Sequence, residues 1–172
     1  MDVWTSGHGA RPVEVLVELL RSAGVRTLID VRRFPASRRH PQFNQAALAT
    51  ELEATGFAYR HEVELGGRRS EEPGEERFTC IDTTAFRSYA ARMSSEAWQK
   101  ALDRALEQPA PCFMCAETLW WRCHRRLIAD LLVARGNTVH HLIRPGETQL
   151  HQLGFDGEIR EGKLYLCGQL VG

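Results

Sequence analysis

Within a few residues of one another, Cys115, Glu117, Cys123, His124 and the arginines Arg122, Arg125 and Arg126 offer two thiols, a carboxylate, an imidazole and three guanidinium groups. They follow an apolar run that begins after Pro109 and Pro111, and they precede apolar spacing at Leu127, Ile128, Leu131 and Leu132. The run predicts a buried strand and the spacing a helix starting near Arg122. A thiol placed just before a helix N-terminus and flanked by arginines is favoured as thiolate, which makes Cys115 a candidate nucleophile. Glu117 is the only acid of the stretch and a candidate general acid or base, with His124 as a second proton carrier. The plainer roles stay open: Cys115 as an inert buried thiol, and Glu117 as a helix cap or partner of Arg125.

Three familiar chemistries fit less well. A phosphate loop of the Cys-x5-Arg type needs arginine at the sixth residue after Cys115, where Trp121 stands, with Arg122 one residue late. Cys112-x-x-Cys115 lies in an expected strand, where residues three apart face opposite sides, so dithiol redox is not expected. Cys115, Cys123, His124 and His8 are zinc ligand types, yet Cys123 and His124 are expected as neighbours on a helix, pointing about a quarter-turn apart. No metal or cofactor is therefore expected, with zinc the lesser alternative.

The elements that must position these groups are strands alternating with helices. Val3-Trp4-Thr5 reads as a first strand that breaks at Ser6-Gly7-His8-Gly9, and Pro12 opens a helix carrying Val13, Leu16, Val17 and Leu20. Val25 to Val31 is a second strand, expected to pair parallel with the first through a right-handed crossover, with Asp30 at its C-terminal end. Arg32-Arg33-Phe34-Pro35-Ala36-Ser37-Arg38-Arg39-His40-Pro41, with its two prolines, predicts an ordered basic loop. Asn44 is expected to cap the next helix, Phe57 to His61 to form a strand, and Arg68 to Glu76 to belong to a mobile charged insertion spanning about 68–77. Two helices follow, around Phe86 to Met93 and after Ser95, then the central stretch, a strand at Val139 to Ile143, and a weak last strand at Leu164 to Cys167. This order predicts a single domain, a three-layer α/β/α sandwich with a mostly parallel, Rossmann-like or rhodanese-like sheet. In such sheets strand C-termini meet along one rim, which would bring His8, the Asp30 to Arg39 segment and the Cys115 to Arg126 segment together.

Composition sets the outer limits. The 172 residues with 43% hydrophobic content suit one domain with a substantial core. Acidic and basic residues balance at 22 each, so affinity for a polyanion must come from a local patch. No apolar run reaches membrane-spanning length, no secretory leader pattern opens the chain, and five unevenly placed cysteines do not suggest a disulfide framework. A cytoplasmic protein with reduced thiols, and no membrane partner, is expected.

Thr5-Ser6-Gly7-His8, Asp30-Val31-Arg32 with Pro35, Ser37-Arg38 and Phe43-Asn44, Leu65-Gly66-Gly67, Cys115-Ala116-Glu117 and Cys123-His124-Arg125 together resemble the DUF488 family of bacterial and archaeal proteins. The resemblance runs from about Trp4 to Ile143 and implies a map of positions, since the family's function is unknown. Asp30-Val31-Arg32 is also similar to the second strand of rhodaneses. On these grounds the expected activity is hydrolysis or group transfer on a phosphate-bearing substrate, a nucleotide or nucleic acid. Glu117, His124, Cys115 and His8 are the expected catalytic groups. Thr5, Ser6, Asp30, Arg32, Arg33, Arg38, Asn44, Trp120, Cys123, Arg125 and Arg126 are the expected substrate contacts, the arginines as bidentate phosphate forks and Trp120 as a stacking surface. The alternatives are a non-catalytic nucleic-acid or nucleotide binding module and a rhodanese-like sulfur carrier using Cys115.

Overall fold

The computed structural model describes residues 1–67, 71–154 and 156–172. Its main sheet is built from β1 (Asp2–Gly7), β2 (Thr27–Asp30), β3 (Ala58–His61), β4 (Pro111–Cys115), β5 (Thr138–Arg144) and β6 (Glu147–Leu150). The spatial order is β3-β2-β4-β1-β5-β6; every neighbouring pair is parallel except β5 with β6, an antiparallel hairpin. Helices α1 (Val13–Ser22) and α2 (Gln45–Ala54) cover one face, while α3 (Thr84–Met93), α4 (Glu96–Leu106) and α5 (Arg125–Ala134) cover the other. This is the α/β sandwich that the alternation of strand and helix patterns predicts.

Strand alternation feeds both layers. Leu28, Cys112 and Met114 enter the core with Leu16, Leu20, Leu48 and Leu52, whereas Ile29, Phe113 and Val3 enter the other with Leu127, Leu131 and Trp98. Cys112 and Cys115 accordingly project to opposite faces, as strand geometry requires.

Three expectations need correction. β2 does not pair with β1: β4 inserts between them, in the register Asp30 to Met114 and Gly7 to Cys115. Asn44 does not cap α2 with its side chain; its Oδ1 accepts from the Ser37 amide at 2.6 Å and ties the basic loop to the helix start. The cysteines are not all reduced, because Cys80 and Cys167 form a disulfide. That bridge links the loop before α3 to a small antiparallel sheet, β7 (Gly157–Arg160), β8 (Lys163–Leu166) and β9 (Gln169–Leu170), which includes the weak last strand. Leu164 and Leu166 bury it against the α5 side of the core.

Of the charged segment expected to be mobile, 68–70 lie outside the described residues. Its remainder enters a 3-10 turn at Glu75–Phe78, where Phe78 is buried and the Ser88 hydroxyl donates to Glu75. No described helix is long and apolar enough to cross a membrane.

Candidate functional site

Placing β4 between β1 and β2 sets the carboxyl ends of three adjacent strands side by side. Past the strands the backbone stays laced: the His8 amide donates to the Cys115 carbonyl (3.0 Å), Gly9 to Ala116 (2.9 Å) and Val31 to Met114 (2.9 Å). Gly7 makes this closeness possible, because a Cβ there would lie 2.0 Å from the Glu117 carbonyl oxygen. The loop carrying Glu117 is thus seated directly on the first strand.

Asp30, fully buried at the end of β2, turns Arg32 back on itself. Its Oδ1 accepts from the Arg32 amide (3.0 Å) and Nε (2.9 Å), and its Oδ2 from Arg32 Nη2 (2.6 Å) and the Tyr59 hydroxyl (2.7 Å). Burial works against the Arg32 charge, but the hydrogen bonds and the negative charge of Asp30 together outweigh it and the guanidinium is held charged. Its Nη1 points to His8 Nε2 at 3.2 Å, while His8 Nδ1 lies 2.8 Å from the Gly9 carbonyl. Guanidinium only donates and a carbonyl only accepts, so His8 is a neutral Nδ1–H tautomer. Burial lowers its pKa to about 4, and its ring stacks on Phe43 at 4.2 Å. Both ring nitrogens of His8 are therefore engaged, Nε2 by Arg32 and Nδ1 by the Gly9 carbonyl.

A second cluster lies beside the first. Helix α5 starts at Arg125, later than the sequence pattern predicts, because a 3-10 turn at Trp120–Arg122 intervenes and Cys123 is extended (φ −126°, ψ 151°). Cys123 and His124 are thus not neighbours on a helix, and their side chains converge: Cys123 Sγ lies 3.5 Å and Cys115 Sγ 3.9 Å from His124 Nδ1. The donor atoms of Cys115, Cys123 and His124 all lie within 4.8 Å of one another, so these are the residues that could hold a metal. The expectation that one ion could not take both Cys123 and His124 fails on this geometry. Hydrogen bonding from Cys115 lowers the Cys123 thiol well below its ordinary value and outweighs burial. That same bond, and then burial, raises Cys115 well above its own. The two thiols therefore titrate as one coupled pair beside the helix start.

Both clusters open into one cavity of about 780 Å³. Its lining includes His8, Arg32, Arg33, Cys115, Glu117, Cys123 and His124 from the residues expected at the site, so the predicted meeting of distant segments occurs. Glu117 sits exposed at the rim, with Oε1 accepting from the Leu119 amide at 3.0 Å. Arg39 and Arg122 of the two basic segments also reach the cavity, giving, among the described residues, four guanidinium groups against one carboxylate in the lining. His40, Phe34, Phe86 and Tyr89 also line it and are not singled out by residue type; Phe86 and Tyr89 are visible in the sequence only as the apolar stripe of a helix.

Other expected contacts lie elsewhere. Arg125 is buried and donates to the Glu117 and Thr118 carbonyls and to Thr5 Oγ1, so it braces the loop from behind. Arg126 pairs with Asp156 at 2.5 Å and covers Phe86. Thr5 and Ser6 are fully buried inside β1; Thr5 Oγ1 lies 2.7 Å from His141 Nδ1. Arg38 is exposed away from the cavity lining, and Asn44 clamps the basic loop. Trp120 stacks on His141 at 4.1 Å and lines a separate hollow with Trp121 and Gln149. A buried relay escaped sequence reading altogether: His141 Nε2 lies 3.0 Å from His151 Nδ1, and His151 Nε2 lies 2.8 Å from Asp130 Oδ1. Its members are far apart in sequence and no local pattern joins them.

No curated protein and no solved structure matches the chain. A family model does: the domain of unknown function DUF488 matches residues 12–132, starting just after the Thr5–His8 motif and ending within α5, and the chain belongs to that family.

Proposed function

We propose that the cavity is the active site of an enzyme that binds a phosphate-bearing small molecule and catalyses hydrolysis or group transfer. One observation carries the reading: segments around His8, Arg32 and Cys115 meet at a single cavity whose lining, among the described residues, holds four guanidinium groups and only Glu117 as a carboxylate. Asp30 neutralises Arg32, and Arg39 and Arg122 supply positive potential at the mouth. Guanidinium forks match phosphate oxygens bidentately, so the anion is held at the arginine side. The reacting centre then faces the Cys115, Cys123 and His124 floor. Glu117, exposed at the rim, is the group placed to carry a proton to or from the leaving group.

One alternative loses support: a nucleic-acid module would stack bases on Trp120 and Trp121, and both line a hollow separate from the arginine-lined cavity. The test is a turnover screen over nucleotides, sugar phosphates and inorganic pyrophosphate. Glu117→Gln should lower the detected activity by about 10²-fold or more while substrate still binds. Unchanged turnover in Glu117→Gln would overturn the assignment of the proton carrier, and no binding of any phosphate compound would overturn the substrate class.

A further inference from the structure

We propose that Cys115, Cys123 and His124 form a zinc site at the floor of the cavity, with one coordination position left open to it. The proposal rests on reading that cavity as an active site, and it deepens that reading by naming what the floor binds.

The size of the cluster is the first support. Tetrahedral zinc with bonds of about 2.3 Å to sulfur and 2.0–2.1 Å to nitrogen sets sulfur and nitrogen about 3.5 Å apart. Cys123 Sγ is 3.5 Å from His124 Nδ1, and Cys115 Sγ is 3.9 Å away, so only a few tenths of an ångström separate the second pair from coordination. The chain achieves this with one extended residue followed by one helical one, Cys123 and then His124, which turns adjacent side chains toward a common point.

The tautomer is the second. His124 Nε2 lies 3.2 Å from the Val31 carbonyl, which can only accept, so the ring proton sits on Nε2 and the Nδ1 lone pair faces both sulfurs. A backbone carbonyl on the far nitrogen is the usual orienting partner of a metal-bound histidine. The ring is also clamped. A Cβ on Gly67 would lie 2.7 Å from Nδ1 and 3.1 and 3.2 Å from its two ring neighbours, so the Gly67 backbone covers the ring face and leaves the in-plane lone pair clear. Tyr89 packs near the same imidazole at 4.9 Å.

Charge and coordination number agree. Two thiolates neutralise a divalent ion, so the surrounding arginines do not oppose it. Among the described residues no further histidine, cysteine, aspartate or glutamate joins the cluster, and all three members line the cavity. Three protein ligands with an open fourth position are the pattern of catalytic rather than structural zinc, and water or a substrate oxygen is the fourth ligand.

The full chain, purified anaerobically without chelator, should carry about one zinc per molecule by elemental mass spectrometry. Stripped of metal and titrated with cobalt(II), it should develop a thiolate-to-cobalt charge-transfer band and the intense visible bands of tetrahedral cobalt. Cys115→Ala and Cys123→Ala should each weaken zinc binding by about 10-fold or more, whereas Cys112→Ala, a thiol on the opposite face of the sheet, should leave it intact. A folded wild-type chain with no charge-transfer band at equimolar cobalt would overturn the site, as would equal zinc content in the Cys115→Ala/Cys123→Ala double variant or a Cys115–Cys123 disulfide in the anaerobic protein. A chain that takes up no zinc yet binds a phosphate compound would overturn this proposal alone; zinc bound by a chain that binds no phosphate compound would support it and overturn the substrate reading instead.

Discussion

His8 Nε2 takes its hydrogen bond from Arg32 Nη1 at 3.2 Å, across the gap that β4 fills between β1 and β2. This contact joins the first and second motifs of the chain and has a pH signature. The folded-state pKa of His8 is lowered to about 4 by burial, below the ordinary 6.5. Between those values the unfolded chain binds the extra proton, so this histidine's contribution to stability is full above about pH 6.5 and is lost as pH falls toward 4. Urea unfolding across that window should show a steeper acid loss in the wild type than in His8→Gln, by up to about 3 kcal/mol. Parallel profiles would contradict the buried neutral imidazole.

Gly7 should tolerate no side chain. A Cβ at that position would meet backbone, 2.0 Å from the Glu117 carbonyl oxygen, and backbone cannot swing aside as a flexible side chain can. Gly7→Ala should destabilise the fold by about 1–3 kcal/mol and displace the Glu117 loop. Chemical denaturation gives the first effect, and amide chemical shifts of Ala116 to Leu119 give the second.

The arginines separate into two kinds, and substitution should distinguish them. Arg39→Ala and Arg122→Ala, at exposed cavity positions, should weaken binding of a phosphate compound and flatten its salt dependence, with stability changed by less than about 0.5 kcal/mol. Arg125→Met should do the reverse. It strips donors from two carbonyls and from Thr5, costing about 2–4 kcal/mol of stability in a thermal melt.

The Cys80–Cys167 bridge closes a separation of 87 residues and ties the β7-β8-β9 sheet to the loop before α3. Cys167→Ala should cost about 2–4 kcal/mol by denaturant unfolding. Reductant should lower the Tm of the wild type and leave that of the variant unchanged.

Much of the layout was legible because it is local. Apolar spacing along α1 and α5 and the β-branched run before Asp30 report helix and strand directly. What was illegible depends on long-range pairing. Nothing in the residues of β2 says that β4, some 80 positions later, rather than β1 is its neighbour. The same holds for Cys80 with Cys167 and for the His141, His151 and Asp130 relay. Arg125 differs for another reason: its type suggests an anion partner, but it is buried behind the loop against carbonyl acceptors. The Cys123–His124 geometry turned on where a helix begins, and a shift of a few residues there rotates neighbouring side chains from divergent to convergent.

The most direct test of the active-site assignment is calorimetric titration of inorganic pyrophosphate into the wild-type chain and into the Arg39→Ala/Arg122→Ala double variant at two salt concentrations. The proposed function predicts saturable binding to the wild type that weakens with salt, and a loss of about 10-fold or more in the folded double variant. Equal affinity in the two proteins, or no binding to the wild type at low salt, would contradict a phosphate-binding cavity at the junction of β1, β2 and β4.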